Sequence, residues 1–311
     1  MSIVSCVGVR KQFGKHTALA GVDLQIAGQG VFGLLGPNGA GKSTLLRILT
    51  GQISHDGGQV ALMGKPVGVD REEVRYRFGY LAQQPRYYGW MSGEELLDFT
   101  GTIFRIPRHL RRRRTRELLA MSGLTASAGR KISGYSGGML QRLGIAQALY
   151  NDPEVLFLDE PVSALDPVGR KEVLEFIAGI SSRMTVIMST HILEDVERIC
   201  SNIAIMESGR ILLQGSTAAL LEGYAGNSCC LQFAASGDAD RMYALLLELG
   251  IDTEIDGAAV VLKEEQYRSC RSSIHRLIAE HDMALETITG RRCSLEELFV
   301  ELVAGGGRRY A

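Results

Sequence analysis

The 311-residue chain has no apolar run near the roughly 18–20 residues needed to cross a bilayer. Its best candidates, "VFGLLG" and "EVLFLDE", are far shorter and read as buried strands. The opening residues, "MSIVSCVGVRKQFGKH", lack the basic start and apolar stretch of a secretory signal. The expectation is a cytoplasmic chain that reaches a membrane only through a partner. An excess of one charge is also missing, because 34 Lys and Arg stand against 35 Asp and Glu. So balanced a field gives no reason to expect nucleic acid or an anionic membrane surface as partner. The six cysteines, Cys6, Cys200, Cys229, Cys230, Cys270 and Cys293, include no CxxC pair and no His/Cys metal spacing. They read as reduced packing residues, and the neighbours Cys229 and Cys230 would face opposite ways on a strand. Internal repeats and low-complexity tracts are absent as well.

What is present is an ordinary globular composition, 45% hydrophobic and 22% charged, on a chain long enough for one large and one smaller domain. From residue 1 to about 220, strands alternate with helices, the pattern of an α/β domain. "GVFGLLG" is a continuous apolar run ending in glycine, a buried strand. "KSTLLRILTG" then places Leu45, Leu46, Ile48 and Leu49 at helical spacing, with Gly51 as the stop. "EVLFLDE" and "MTVIMSTH" are further buried strands with polar C-terminal ends, the edge at which open α/β sheets bind ligands. Between about 85 and 150 helical segments dominate, which predicts a helical insertion. Residues 228–311 read β-α-β-β-α-β, the order of a small α+β, ferredoxin-like unit. A last helix follows, with Ser294 and Glu297 spaced as a capping box.

"GPNGAGKST" matches G-x-x-x-x-G-K-[ST] between a predicted strand and a predicted helix. In this P-loop, Gly36, Pro37, Asn38, Gly39, Ala40 and Gly41 let backbone N–H groups wrap phosphates, aided by the helix dipole. Lys42 reaches the β- and γ-phosphates, the Ser43 hydroxyl suits Mg²⁺, and Thr44 continues the cradle. A chance glycine-rich turn would not carry the flanking strand and helix. Asp159 and Glu160 close the apolar strand "VLFL", the Walker B pattern. Asp159 is placed to hold Mg²⁺ through hard oxygen ligands, and Glu160 to orient or deprotonate the attacking water. A strand ending in acidic residues is common by itself, and the phosphate loop is what gives this one meaning.

These motifs, with "YSGGM" (Tyr135 to Met139), resemble the ATP-binding subunit of ABC transporters, and within them the bacterial ABC-2 type exporter ATPases with an extra C-terminal domain. Tyr135 and Met139 stand where the family signature has Leu and Gln, while Ser136, Gly137 and Gly138 are intact. The resemblance implies that these three meet the γ-phosphate of ATP held by a second subunit. It also makes Gln83 the glutamine that senses Mg²⁺ and the γ-phosphate, with Gln84 as the adjacent register. "SALD" (Ser163 to Asp166) is similar to the D-loop and His191 to the switch histidine. Phe13 stands where an aromatic stacks on adenine. A lone strand-end histidine or aromatic is otherwise usually structural. The implied machine binds ATP and Mg²⁺, closes as a dimer with a copy of itself or a paralogous ATPase subunit, hydrolyses ATP, and drives a transmembrane permease subunit from the cytoplasmic face.

The segment after Gln83, "PRYYGWMSGEELLDF", is where the family meets its permease. Its Tyr87, Tyr88 and Trp90 suit either an interface or the insertion's own core. Ser92 and Glu95 are spaced as a capping box. "RHLRRRRTR" (Arg108 to Arg116) could touch nucleic acid or lipid head groups, but beside a balanced composition it reads as a solvated helix face. The alternatives are a soluble ABC-type ATPase of DNA repair, chromosome maintenance or translation, or a regulatory ATP-binding module. Against the chromosome type, about ninety residues without heptads separate the phosphate loop from the signature. Against the translation type, there is one ATPase domain. The C-terminal unit carries no catalytic constellation, and His275 and His281 read as structural; a dimer-stabilising or regulatory role is expected of it.

Overall fold

A computed structural model describes residues 2–68, 74, 76–224, 228–291 and 294–304. The chain divides into two compact units, Met1–Thr217 and Ala218–Ala311.

In the first unit the strands are β1 (Ser2–Phe13), β2 (His16–Ala27), β3 (Gly30–Leu35), β4 (Gly57–Leu62), β5 (Lys65–Pro66), β6 (Phe78–Leu81), β7 (Val155–Asp159), β8 (Thr185–Thr190), β9 (Asn202–Glu207) and β10 (Arg210–Ser216). They form two sheets, ordered β2-β1-β4-β5 and β10-β9-β3-β8-β7-β6. The first is antiparallel. Val22, Leu24 and Ile26 alternate with more exposed neighbours, the period-two signature of a sheet with one wet face. This separate sheet is an addition to the sequence reading, which treated the region as one α/β core. In the second sheet, β6, β7, β8, β3 and β9 run parallel, and β10 is antiparallel on the edge. Every residue of β7 and β8 is buried, as their unbroken apolar runs require when both sheet faces are covered. Leu24, Val60, Phe32, Leu46, Phe157 and Ile187 belong to one core cluster joining the two sheets.

This topology positions the site. β3, β8 and β7 are adjacent and parallel, so the segments leaving their C-terminal ends emerge side by side. Those segments are the phosphate loop, His191 and the Asp159–Glu160 pair.

The insertion consists of helices Gly93–Ile103, Arg108–Met121 and Gly137–Ala148. Ser92 opens the first with a complete capping box, its N–H reaching Glu95 Oε2 at 2.7 Å and its Oγ accepting from Glu95 N at 3.2 Å. Buried Tyr150 shares a 3.1 Å hydrogen bond with Thr115, in space that Gly101 leaves open. The arginine run departs from a purely solvated face. Arg112, Arg113 and Arg116 are exposed, but Arg111 pairs with Asp98 at 3.1 Å and Arg114 donates to the Leu149 carbonyl at 2.7 Å. With every third or fourth position turned inward, two of the cations brace neighbouring elements.

Helix Thr217–Tyr224 begins at the last residue of the first unit, and the second unit continues with β11 (Ser228–Phe233), helix Ser236–Glu248, β12 (Thr253–Asp256), β13 (Ala259–Lys263), helix Glu264–Glu280, β14 (Leu285–Arg291) and helix Leu295–Ala304. Its sheet is ordered β12-β13-β11-β14, and all neighbours are antiparallel. Leu231, Phe233, Met242, Leu246, Val260 and Ile274 form its core. Cys229 points into that core, and Cys230, one residue on, is half-buried on the other face. Ser294 and Glu297 cap the last helix reciprocally, at 3.0 and 3.2 Å. Cys293 lies outside the described residues. Among the described residues, no helix is long and apolar enough to cross a membrane.

Candidate active site

The loop after β3 is shaped by two glycines. At Gly36 a Cβ would collide with the Met206 carbonyl. Gly41 has φ of +105°, and a Cβ there would stand 2.6 Å from the Ala18 carbonyl oxygen. Only glycine meets both demands, and Gly41 then leads into helix Lys42–Leu49.

Lys42 is almost fully buried beneath this loop. Its Nζ donates to the Gly36 carbonyl at 2.6 Å and the Pro37 carbonyl at 3.1 Å. It also lies 3.2 Å from Glu160 Oε1, an ion pair whose side chains are 5% and 4% exposed. Burying both charges is costly unless each is fully engaged, and here each has further partners. Glu160 Oε2 lies 2.8 Å from His191 Nδ1, which donates when it carries the ring proton. The chain turns at Glu160 with φ of +49°, a conformation unusual for a side-chain-bearing residue and held here by the bonds around it.

Asp159 stands one residue earlier. Its Oδ1 accepts from the Ser43 hydroxyl at 2.9 Å and the Ser189 hydroxyl at 2.7 Å. Ser189 Oγ in turn accepts from the Glu160 backbone N–H at 2.9 Å. Thus one buried hydroxyl on β8 orients both carboxylate residues. Ser189 was absent from the sequence-based site, although a polar residue within the buried run "TVIMST" was an available signal. Asp159 Oδ2 is buried without a hydrogen-bond partner among the described residues.

An open cleft of about 390 Å³ lies over the loop, lined by Phe13, His16, Ala18, Pro37, Asn38, Gly39, Ala40, Gly41, Lys42, Ser43, Thr44, Gln83 and Glu160. Gln83 is among its lining residues and Gln84 is not. Phe13 stands at the end of β1, half exposed, with Lys11 Nζ 5.3 Å from its ring centroid. The cleft therefore offers an aromatic ring, a lysine, a loop of N–H groups and one acidic side chain, Glu160, with Asp159 buried behind it. That set of groups suits a nucleotide triphosphate.

Ser136, Gly137 and Gly138 are not in this lining. Ser136 caps helix Gly137–Ala148, its Oγ accepting from Met139 N at 3.3 Å, and Ser136 and Gly137 are exposed. Gly138 packs on Gly169, where a Cβ would lie 3.2 Å from the Gly169 Cα. A second N–H-rich helix start is thus presented to solvent, away from the chain's own phosphate loop.

Residues 19–163 match the family described as ABC transporter. Over 292 residues the chain is 39% identical to an uncharacterised ABC transporter ATP-binding protein of Nostoc sp., covering 93% of this chain and 84% of that protein. It is 32% identical to the daunorubicin resistance ATP-binding protein DrrA3 of Streptomyces coeruleorubidus, covering 97% of this chain and 96% of the relative. Among solved structures, it resembles the dimeric post-hydrolysis state of the ATP-binding cassette MJ0796 bound to ADP and Pi. That match has a TM-score of 0.61 and 25% identity, over 68% of this chain and 98% of that one. With the phosphate loop, the carboxylate pair and full-length similarity in agreement, the chain belongs to the ABC transporter ATP-binding proteins and is an ATPase homologous to those of ABC-2 type exporters.

Proposed function

We propose that the chain works as a dimer in which each ATP lies between the phosphate loop of one subunit and Ser136–Gly138 of the other. The observation that carries this is the position of the second glycine-rich loop. It is exposed, capped as a helix start, and outside the lining of its own cleft. Such a helix start attracts anions, so it serves a phosphate held by another molecule.

Within each cleft, Phe13 stacks on the adenine, the loop N–H groups and Lys42 hold the phosphates, and Gln83 and His191 meet the γ-phosphate. In the geometry described, Lys42 is held by Glu160 and two carbonyls. An arriving phosphate takes over the ammonium and frees Glu160 to orient the attacking water. His191 keeps the carboxylate in place through its 2.8 Å contact. Catalysis of this kind is mostly positioning and electrostatic stabilisation.

The residues also fit Mg²⁺. Asp159 Oδ2 is a buried oxygen in want of a partner, beside a carboxylate oxygen already bonded to the Ser43 hydroxyl, and hard oxygen donors suit this ion. Ser43, Asp159 and Gln83 would hold it with the phosphates, where it would neutralise charge on the β- and γ-oxygens.

The permease partner meets the segment after Gln83. Tyr87 is packed inward against Gly144, whereas Tyr88 and Trp90 are 58% and 68% exposed with ring centroids 5.9 Å apart. Exposed aromatic pairs are characteristic of interface centres. Export as the transport direction is supported by similarity, at 31% identity, to a Nod factor export ATP-binding protein I of Ralstonia nicotianae, and the chain works at the cytoplasmic face of the membrane. The C-terminal unit is ferredoxin-like, a reading supported by its strand order β12-β13-β11-β14, and it stabilises or regulates the dimer.

Two variants test the cycle. Glu160→Gln retains ATP binding, loses at least about a hundredfold in turnover and accumulates a dimer in size-exclusion chromatography; normal turnover removes Glu160 from its role. Ser136→Arg binds nucleotide as a monomer and does not hydrolyse it. Hydrolysis at the parent rate in that variant would defeat the composite site.

A further inference from the structure

Tyr135, the residue before Ser136, is 8% exposed, and its Oη donates to the Ser127 carbonyl at 2.7 Å. The phenol ends against Gly93, the first residue of helix Gly93–Ile103, where a Cβ would stand 2.5 Å from Oη. A tyrosine at this position therefore needs both a carbonyl to receive its hydroxyl and a glycine to make room. The chain supplies both.

The backbone around this contact forms a seam. Ser133 N donates to the Gly89 carbonyl at 3.2 Å, Ile132 N to the Met91 carbonyl at 2.9 Å, and Glu94 N to the Ala128 carbonyl at 3.0 Å, while Ser92 and Lys131 form an antiparallel bridge. Residues 89–94 and 128–133 are thus stitched together. One side of the seam follows directly on Tyr88 and contains Trp90, and the other runs directly into Tyr135 and Ser136. The phenol meets the seam at its Glu94–Ala128 end, through Gly93 and the Ser127 carbonyl, whereas the chain leaves for Ser136 from the Gly89–Ser133 end.

We propose that Tyr135 is a positioning residue for Ser136–Gly138: seated on Gly93 and bonded to Ser127, it holds the second phosphate-seeking loop in register with the segment that carries Tyr88 and Trp90. The inference rests on the composite-site reading. It adds that the loop's placement depends on a phenol–glycine pair in the insertion, so a shift of residues 88–93 moves Ser136 with them. Tyr135 itself is buried and acts only through the loop.

The test uses the full chain in a Glu160→Gln background, measuring ATP-dependent dimerisation by analytical ultracentrifugation and monomer affinity with a fluorescent ATP analogue. Tyr135→Phe keeps the ring and loses the Ser127 bond; it is expected to weaken dimerisation at least fivefold with monomer affinity unchanged. Gly93→Ala drives the phenol off its seat and weakens dimerisation similarly. Combining Gly93→Ala with Tyr135→Leu removes the collision and fills the space, so the double variant dimerises better than Gly93→Ala alone. The rescue ties the loss to the phenol–glycine contact, and unchanged nucleotide affinity separates a positioning role from a general loss of folding. Parent-like dimerisation by Tyr135→Phe, or simple addition of the two losses, overturns the proposal. Ser136→Arg serves as control. If it blocks dimerisation while Tyr135→Phe does not, only the positioning role falls; if it too dimerises normally, the composite site falls and this proposal with it.

Discussion

Replacing Ser189 by alanine should damage both the stability and the turnover of the site, because one hydroxyl serves two residues there. Ser189 is fully buried, donates to Asp159 Oδ1 at 2.7 Å, and accepts from Glu160 N at 2.9 Å. Alanine removes both bonds without leaving a cavity large enough for a replacement side chain. The loss is tempered, because Asp159 Oδ1 keeps the Ser43 hydroxyl at 2.9 Å and Glu160 N keeps the Ser189 carbonyl at 3.2 Å. A hydrogen bond to a charged group contributes about 1.5–3 kcal/mol, which places the net cost near ~2 kcal/mol. For a unit of this size each kcal/mol lowers the melting temperature by roughly 2–4 °C, so a fall of about 4–8 °C is expected. If about 1 kcal/mol of the loss is felt in the transition state, ATP turnover drops about fivefold. Calorimetry without nucleotide and a steady-state phosphate-release assay give the two numbers. A variant that melts within about 1 °C of the parent, at unchanged turnover, would refute the claim that Ser189 orients the carboxylates.

Phe13→Ala should raise the Kd for ATP about fivefold, since stacking on a half-exposed ring falls at the low end of about 1–3 kcal/mol per base; unchanged affinity in a nucleotide titration would place the base elsewhere. In the arginine run, Arg111→Gln and Arg114→Gln should each cost about 1 kcal/mol in denaturant melts, because each loses partners inside the insertion. Arg112→Gln should cost nothing measurable, and equal effects at all three positions would contradict the division between braces and solvated cations. Burial pushes the Cys6 and Cys200 thiols up to about 12. At pH 8 both should therefore resist maleimide in the folded protein, while half-buried Cys230 is modified; mass spectrometry showing Cys6 labelled as fast as Cys230 would contradict that burial.

How much of this was legible in the chain follows from the range of the interactions concerned. The phosphate loop was readable because its residues form one short run, glycines followed by a lysine and a serine at a helix start, although the crowding by Met206 and Ala18 that demands those glycines is tertiary. The capping pairs Ser92–Glu95 and Ser294–Glu297 were readable for the same reason, since both partners lie within one turn. Buried strands declared themselves by unbroken apolar runs, and the C-terminal unit by its alternation of strands and helices.

Contacts between distant segments were a different matter. That β1, β2, β4 and β5 form their own antiparallel sheet depends on pairings that no local pattern specifies. Asp159 and Ser189 meet because β7 and β8 are parallel neighbours in register, Asp159 opposite Ser189. That Gln83 lines the cleft while its neighbour Gln84 does not is also set by the fold. Likewise the fate of each aromatic and each arginine was decided by helix packing: Tyr87 in and Trp90 out, Arg111 and Arg114 braced and Arg112 free to solvent. The sequence by itself determined that a phosphate-loop motif, a carboxylate pair at a strand end and a second glycine-rich loop are present. Only the tertiary structure decided that Ser136 lies outside its own cleft, with Tyr135 seated on Gly93, because strand order and helix packing place residues that are far apart along the chain.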